Sequence, residues 1–132
     1  MANEAVLIYE THLPIPMTVA NATGIEKGTV LKLADPLTAS AQTALNDIVA
    51  GICATEKIAS DGLTKTAVYR GGIFKMTASG SITVGDPVVT ATANKVVTSA
   101  VNEENVLGIA LETATDGETL LVELRPTRMQ LA

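Results

Sequence analysis

The chain has 132 residues and a formal net charge of −5, and 47% of its residues are hydrophobic although only 2% are aromatic. Its length suits one domain with a buried core and is too short for two ordinary domains. Because the nine basic residues are scattered along an acidic chain, we expect no direct binding to DNA or RNA, which depends on clustered Lys and Arg. The core must consist of small aliphatic side chains, and a thin core often gains stability when the protein oligomerises or docks on a larger structure.

Residues 1–24 are predicted to be an N-terminal arm outside the main domain. Val6-Leu7-Ile8-Tyr9 consists of strand-forming residues, whereas Leu13-Pro14-Ile15-Pro16 is expected to interrupt strand pairing and extend the chain. An apolar terminal strand can cover an edge of its own sheet or add to the sheet of a neighbouring protein, and the sequence leaves both alternatives open.

With no basic segment typical of a signal peptide and no apolar run long enough for a membrane span, we expect a soluble protein made in the cytoplasm.

Residues 25–132 are predicted to form a single all-β domain, because runs of Thr, Val and Ile are separated by turn-forming Gly, Asp and Pro. An internal repeat divides this domain. Residues 25–30 match 82–88 and residues 49–52 match 106–109, with the glycines 57 positions apart in both cases. We assign one repeat to about residues 25–71 and the other to about residues 82–126. Two repeats are too few for a solenoid, so we expect them to close on each other as a small barrel or sandwich.

Two Asp-Gly pairs, Asp61-Gly62 and Asp116-Gly117, are predicted to be hairpin turns. This dipeptide favours a type I′ turn, which needs positive φ at both central residues. The strand segments that we expect to pair across these turns are 52–59 with 64–70 and 109–113 with 118–124.

One short helix is compatible with the sequence. Residues 37–45 follow the Asp35-Pro36 turn and could form it. The segment Ile73–Thr77, bounded by glycines, is expected to be the strand that joins the two repeats.

No catalytic or cofactor-binding motif is present in the sequence. His12 is the only histidine and lies in the arm, and the only cysteine, Cys53, lies in an apolar strand, so we expect no Cys–His dyad, disulfide or metal centre. No phosphate-binding loop or nucleophile elbow occurs. We interpret the acidic residues near the two predicted hairpin tips as turn and surface residues rather than as an acid–base pair or calcium ligands; they are Glu56 with Asp61, and Glu112 with Asp116. The sequence therefore predicts that the protein is not an enzyme and needs no cofactor.

Several segments resemble the proteins that decorate phage heads. Val30–Asp35, Ile48–Ala54 and Thr64–Lys75 are similar to the head decoration proteins of lambda-like phages, with a central Gly-Ile strand followed by a Thr…Tyr-Arg-Gly-Gly-Ile-Phe-Lys strand pair. Val84–Val88 and Val106–Glu112 resemble the wider family of phage capsid-cement proteins. The chain differs from the lambda-like pattern in its extended second repeat and in its lack of tryptophan.

The resemblance implies a capsid decoration protein on the outer surface of the virion. Such a protein would bind the major capsid protein as homotrimers at local threefold axes and would stabilise the expanded capsid, without contact to nucleic acid or membrane. The arm that becomes ordered against the capsid would be Asn3–Pro16, and we expect Val6–Tyr9 to add to an edge strand of the capsid. The candidate interface residues are Val6, Leu7, Ile8, Tyr9, His12, Leu13 and Ile15.

The sequence leaves three alternative functions open. The chain could be another virion component, such as a head–tail connector or a tail protein, with a similar small barrel. It could be a small β-type binding module, although sugar binding is disfavoured by the scarcity of aromatic residues. An enzyme is disfavoured by the lack of any catalytic motif.

Overall fold

The computed structural model describes residues 2–42, 47–99 and 105–128, and nearly all of its regular structure is β. The strands are β1 (Val6–Tyr9), β2 (Ile15–Thr18), β3 (Val30–Asp35), β4 (Thr38–Ala41), β5 (Val49–Cys53), β6 (Lys65–Tyr69), β7 (Gly72–Thr77), β8 (Pro87–Ala91), β9 (Lys95–Thr98), β10 (Asn105–Ala110) and β11 (Thr119–Arg128). A short 3₁₀ turn, Thr92–Asn94, lies between β8 and β9. The predicted all-β fold is confirmed. No helix in the described part of the chain has the length and apolar character needed to cross a lipid bilayer.

Strands β2 to β6 form a closed barrel, with the order β2–β4–β3–β5–β6. The barrel closes at β2, which runs antiparallel to β6 and pairs with β4 through a parallel bridge between Thr18 and Thr38. In β6, buried side chains alternate with exposed or half-buried ones, as expected for a strand with one face on a core. The interior includes Met17, Leu31 and Val68, which are all almost completely buried.

Strands β7 to β11 repeat the strand order of the barrel, because β7–β11–β10–β8–β9 corresponds to β2–β6–β5–β3–β4. The outer strands of this group approach each other: Ala78, directly after β7, forms a parallel bridge with Val96 in β9. The Ser79 amide also donates to the Val96 carbonyl at 2.7 Å. This contact corresponds to the bridge that closes the barrel. β1 pairs with the rest of that edge of β7, so the sheet has six strands.

The same hydrogen bonds recur in the barrel and in the sheet at a constant offset of 57 residues. The Gly28 amide donates to the Cys53 carbonyl at 2.9 Å, and the Gly85 amide donates to the Ala110 carbonyl at 2.8 Å. Both glycines have positive φ, 86° and 92°. The bridge between residues 25 and 57 likewise recurs between residues 82 and 114. The barrel and the sheet can therefore be compared position by position.

A second pair of equivalent glycines marks the centre of each group. Gly51 lies in β5, which is buried throughout, and Gly108 lies in β10. A side-chain carbon at Gly51 would overlap the carbonyl oxygen of Tyr69, and one at Gly108 would overlap that of Glu123. The repeated Gly-Ile dipeptide therefore reflects a neighbouring backbone that leaves no space for a β-carbon.

The larger core lies between the barrel and the sheet. Ile52 from the barrel and Leu107 from the sheet belong to one buried cluster, together with Phe74 of β7. The ring of Tyr69 meets that of Phe74 edge to face, with centroids 5.6 Å apart and planes at 64°. Aliphatic side chains make up most of this core, as the composition requires.

Asn94 joins the barrel, the sheet and the N-terminal segment. Its side-chain oxygen accepts a hydrogen bond from the Val30 amide at 2.7 Å. Its side-chain nitrogen donates to the carbonyls of Asn3 and Gly28, both at 2.9 Å. Asn94 is buried and has a φ of 62°, a conformation that asparagine adopts more readily than most residues.

Two local predictions are wrong in the segments that form the barrel. Residues 38–41 are strand rather than helix, because they pair with β3 through Leu33–Ala39 and Lys32–Ser40; residues 43–46 of the predicted helix lie outside the described residues. Ile15–Thr18 is a strand despite its proline. β2 can include Pro16 because most of β2 has a strand partner on one side only, so the missing N–H breaks no ladder there.

The two hairpins pair as predicted near their bases, but their turns differ from the prediction. Ile52 pairs with Tyr69, and Ile109 pairs with Glu123. Positive φ occurs at Gly62 and Gly117 but not at the aspartates before them, so neither turn is type I′. Instead, the Asp61 carboxylate accepts from the Ile58 and Leu63 amides of its own loop, whereas the Asp116 carboxylate accepts from the Gly80 amide outside its loop.

Candidate functional site

β1 is the outermost strand of the six-stranded sheet. It pairs with β7 through Val6–Lys75, Leu7–Phe74 and Tyr9–Ile73, with a bulge between Leu7 and Tyr9. Of the two alternatives that the sequence left open, the structure shows the strand covering an edge of its own chain. The opposite edge of β1 has no strand partner among the described residues, so its backbone groups are available to a further strand.

The side chains of β1 divide between the core and the surface. Leu7 is half-buried and packs against the core, whereas Val6 and Ile8 are 44% and 42% exposed. Tyr9, beyond the bulge, is 60% exposed. β1 therefore combines an unpaired edge with apolar side chains in solvent, which is the arrangement that natural edge strands usually avoid.

The connection from β1 to β2 is attached to the barrel at two points. The Tyr69 hydroxyl donates to a Glu10 carboxylate oxygen at 3.2 Å, and the pKa of Tyr69 is raised by desolvation and by that carboxylate. The His12 ring lies so close to Gly71 that a side chain there would overlap it. The Thr11 hydroxyl and His12 Nδ1 are 2.9 Å apart. Leu13, between these contacts and β2, is 78% exposed.

Exposed apolar residues are concentrated in this part of the chain. Five of the eleven large exposed hydrophobic residues of the described chain lie between positions 6 and 15; they are Val6, Ile8, Tyr9, Leu13 and Ile15. We call residues 6–15 the edge segment. The structure thus brings the sequence-predicted interface residues onto β1, the connection after it and the start of β2, with Leu7 directed to the core.

Three of the four acidic residues near the two loops, Asp61, Glu112 and Asp116, accept hydrogen bonds from nearby groups. Asp61 accepts from the Leu63 amide at 2.9 Å and from Lys57 Nζ at 3.1 Å, and these bonds lower its pKa. Glu112 accepts from the Leu121 amide at 2.9 Å, and Asp116 accepts from the Gly80 amide at 2.8 Å. In the described residues, no group of three or more His, Cys, Asp or Glu side chains is arranged to hold a metal ion.

Cys53 is buried, and its thiol donates to the Thr55 carbonyl at 2.9 Å. Burial raises the pKa of this thiol, which favours the neutral and unreactive form. The arrangement gives no activated nucleophile at Cys53.

Sequence reasoning missed two features of this surface. Lys57 is almost completely buried and donates to the carbonyls of Asn21 and Ile58 as well as to Asp61, so it holds one loop together. The segment before β1 is also ordered, since the Ala5 amide donates to the Gly28 carbonyl at 3.0 Å and Ala5 is buried. Neither feature could be predicted from neighbouring residues alone, because Lys57 also needs the Asn21 carbonyl, 36 positions away, and Ala5 needs the Gly28 carbonyl.

Known proteins with related sequences or folds are found among phage components. The model of the phage cement protein family matches residues 9–126. No curated protein matches the chain. A crystal structure of the head fibre gp8.5 N base in bacteriophage phi29 has a similar fold, with a TM-score of 0.58 and 19% sequence identity over 90% of this chain and 97% of that chain. At this identity the likeness shows a shared fold.

Proposed function

We propose that this chain, which belongs to the phage cement protein family, decorates the outer surface of a phage head and stabilises the expanded capsid. Membership of this family makes the chain a structural, capsid-associated virion protein. The observation that supports the finer proposal is the edge segment, which combines an unpaired strand edge with five exposed apolar side chains. An edge of this kind is suited to a protein partner.

Binding would proceed by strand addition to β1. A strand of the major capsid protein would pair with the free edge of β1, while β1 stays paired with β7, so that one sheet continues from this chain into the capsid. A stable interface buries about 1,600 Å² in total. A four-residue strand is too small for that area, so residues 10–15 and an adjoining face would contribute the rest.

We further propose that the protein binds as homotrimers at local threefold axes. This part of the proposal rests on the resemblance to decoration proteins. It is supported by exposed apolar residues outside the edge segment, such as Leu37 and Ile48, which are 59% and 55% exposed and could lie between copies.

The experiment is co-sedimentation with expanded shells that lack this protein, assembled from the major capsid protein of the same phage. Deletion of the arm is unsuitable, because it would remove buried Ala5 and part of β2. We would use Val6→Lys with Ile8→Lys, since both side chains are exposed. The expected result is at least tenfold weaker binding at an unchanged melting temperature, while the control Leu63→Lys, at another exposed apolar position, binds like the wild type.

The outcomes separate the parts of the proposal. Wild-type protein that fails to bind shells would refute the cement function. Wild-type binding that saturates at a few copies per shell would favour a connector or another minor virion component. Normal binding by the double variant would show that β1 is not the contact.

A further inference from the structure

The barrel and the sheet contain the same backbone site, and the N-terminal segment covers this site only in the barrel. At Gly28, the Ala5 amide donates to the glycine carbonyl at 3.0 Å, and a side-chain carbon on the glycine would overlap Glu4. At the equivalent Gly85, no atom beyond the glycine and its two neighbours in the chain lies within 4 Å of that position among the described residues. No group in the described residues donates to the Gly85 carbonyl. The second site is therefore open.

Two positions beside the glycine are more apolar at the open site than at the covered one. Lys27, Ala54 and Tyr69 line the covered site, along the path of the segment from Glu4 to Leu7, and Lys27 and Ala54 have direct equivalents at the offset of 57 residues. The equivalent residues in the sheet are Val84 and Leu111, which are 57% and 38% exposed. We call Val84, Gly85 and Leu111 the Gly85 site.

Hydrogen bonds hold the Gly85 site in a fixed conformation. The Val84 amide donates to the Thr113 hydroxyl at 3.0 Å, and the Gly85 amide donates to the Ala110 carbonyl at 2.8 Å. These bonds bind the turn at residues 84–85 to the chain on either side of Leu111. The site is thus preformed, so a partner would lose little free energy in ordering it.

We propose that the Gly85 site binds an extended apolar segment of the major capsid protein. The segment would donate a backbone N–H to the Gly85 carbonyl, as Ala5 does at Gly28. Its apolar side chain would lie on Val84 and Leu111, at the position that Glu4 takes beside Lys27. This inference rests on the proposed cement function and adds a second contact to the edge segment.

The polarity of the site disfavours a second copy of this chain as the occupant. The N-terminal segment of another copy would place the carboxylate of Glu4 against two aliphatic side chains. The residues that follow Gly85 and Leu111 in the sequence, Asp86 and Glu112, are also acidic, and their carboxylates already accept backbone hydrogen bonds. Moreover, Ala5 is buried in its own copy and would have to leave that core. An apolar, uncharged segment from a different chain fits better.

The first experiment replaces the two apolar residues of the Gly85 site with the residues found at the equivalent positions beside Gly28. The variant Val84→Lys with Leu111→Ala carries the residues that flank Gly28, and both changes are at exposed positions. In co-sedimentation with expanded shells, we expect at least tenfold weaker binding and an unchanged melting temperature. The matched control Ile58→Lys with Leu63→Ala removes another exposed apolar pair and should bind like the wild type.

The results distinguish this inference from the proposal on which it rests. Equal binding by wild type and the Val84→Lys, Leu111→Ala variant would overturn the inference and leave the cement function standing. Failure of the wild type to bind shells would refute the cement function itself.

A crosslinking experiment identifies the occupant directly. Cys53 is the only cysteine, so Cys53→Ala with Val84→Cys has one exposed thiol, which can carry a benzophenone label. On shells, irradiation should join the label to the major capsid protein. The control is Cys53→Ala with Leu63→Cys, which places the label at an exposed position outside both proposed contacts and should give no such adduct. An adduct between two copies of this chain, or no adduct on shells that carry the labelled protein, would overturn the inference.

Discussion

Replacing Asn94 with alanine would remove the side chain that joins the sheet to the barrel and to the N-terminal segment. The three hydrogen bonds lost are those to the Val30 amide, the Asn3 carbonyl and the Gly28 carbonyl. Val30 is completely buried, so the substitution would leave its amide in the core without the acceptor that it now has. The Gly28 carbonyl would keep its bond from the Ala5 amide.

The expected loss of stability can be built from these contacts. A buried amide without a partner costs about 1–3 kcal/mol, and each of the other two bonds contributes about 1 kcal/mol net. Alanine at a φ of 62° costs about 1 kcal/mol more than asparagine. Water can enter from the cavity that Asn94 lines with Asn3, Thr29 and Gln42, which reduces the first cost. We therefore expect a loss of at least about 3 kcal/mol, a large part of the roughly 5–15 kcal/mol that stabilises a typical domain.

Urea unfolding measures this loss. With a slope of about 1–3 kcal/mol per molar urea, the midpoint should fall by roughly 1–3 M. Asn94→Gly should lose about 1 kcal/mol less than Asn94→Ala, because glycine tolerates positive φ. The control Asn21→Ala removes one exposed bond to the Gly62 amide and should cost about 1 kcal/mol or less. A loss below about 1 kcal/mol for Asn94→Ala would show that the hydrogen bonds of Asn94 do not hold the barrel, the sheet and the N-terminal segment together.

Three other variants or probes test separate parts of the structure. Gly108→Ala should cost at least about 3 kcal/mol of the free energy of unfolding in urea, because the new β-carbon overlaps a backbone carbonyl. Gly117→Ala lies in open space at a φ of 84° and should cost about 1 kcal/mol. Equal losses for the two variants would contradict this account. Hydrogen bonds from the Leu63 amide and Lys57 hold the pKa of Asp61 below its ordinary value of 3.8. The contribution of Asp61 to stability is therefore complete above pH 3.8 and is lost as the pH falls through the lower pKa of the folded state. Asp61→Asn should therefore flatten the decline of the melting temperature below about pH 4, and an unchanged decline would show that Asp61 does not contribute. The Cys53 thiol, whose pKa is raised by burial, should react with a disulfide reagent at pH 8 only after unfolding in urea, and rapid reaction of the folded protein would contradict its burial.

The sequence by itself determined the fold class, the repeat and several strands. Strand-forming runs separated by glycine and Asp-Gly predict β structure because these preferences act within a few residues. The repeated Gly-Ile of β5 and β10 could be recognised as the centre of a buried strand for the same reason. The resemblance to phage cement proteins also depended on such short segments, and the family match over residues 9–126 confirms it.

Only the tertiary structure decided which partner each segment meets. Residues 38–41 became a strand between β3 and β2, where Thr38 meets Thr18 in the bridge that closes the barrel. β1 lies on β7, whose paired residues are more than 60 positions away. The burial of Lys57, the bonds of Asn94 and the open surface at Gly85 were likewise not visible in the sequence. Each depends at least in part on residues that are far away in the chain, such as Asn21 for Lys57 and Val30 for Asn94. Local preference carries no information about such contacts, because their free energy comes from packing and desolvation in the folded state.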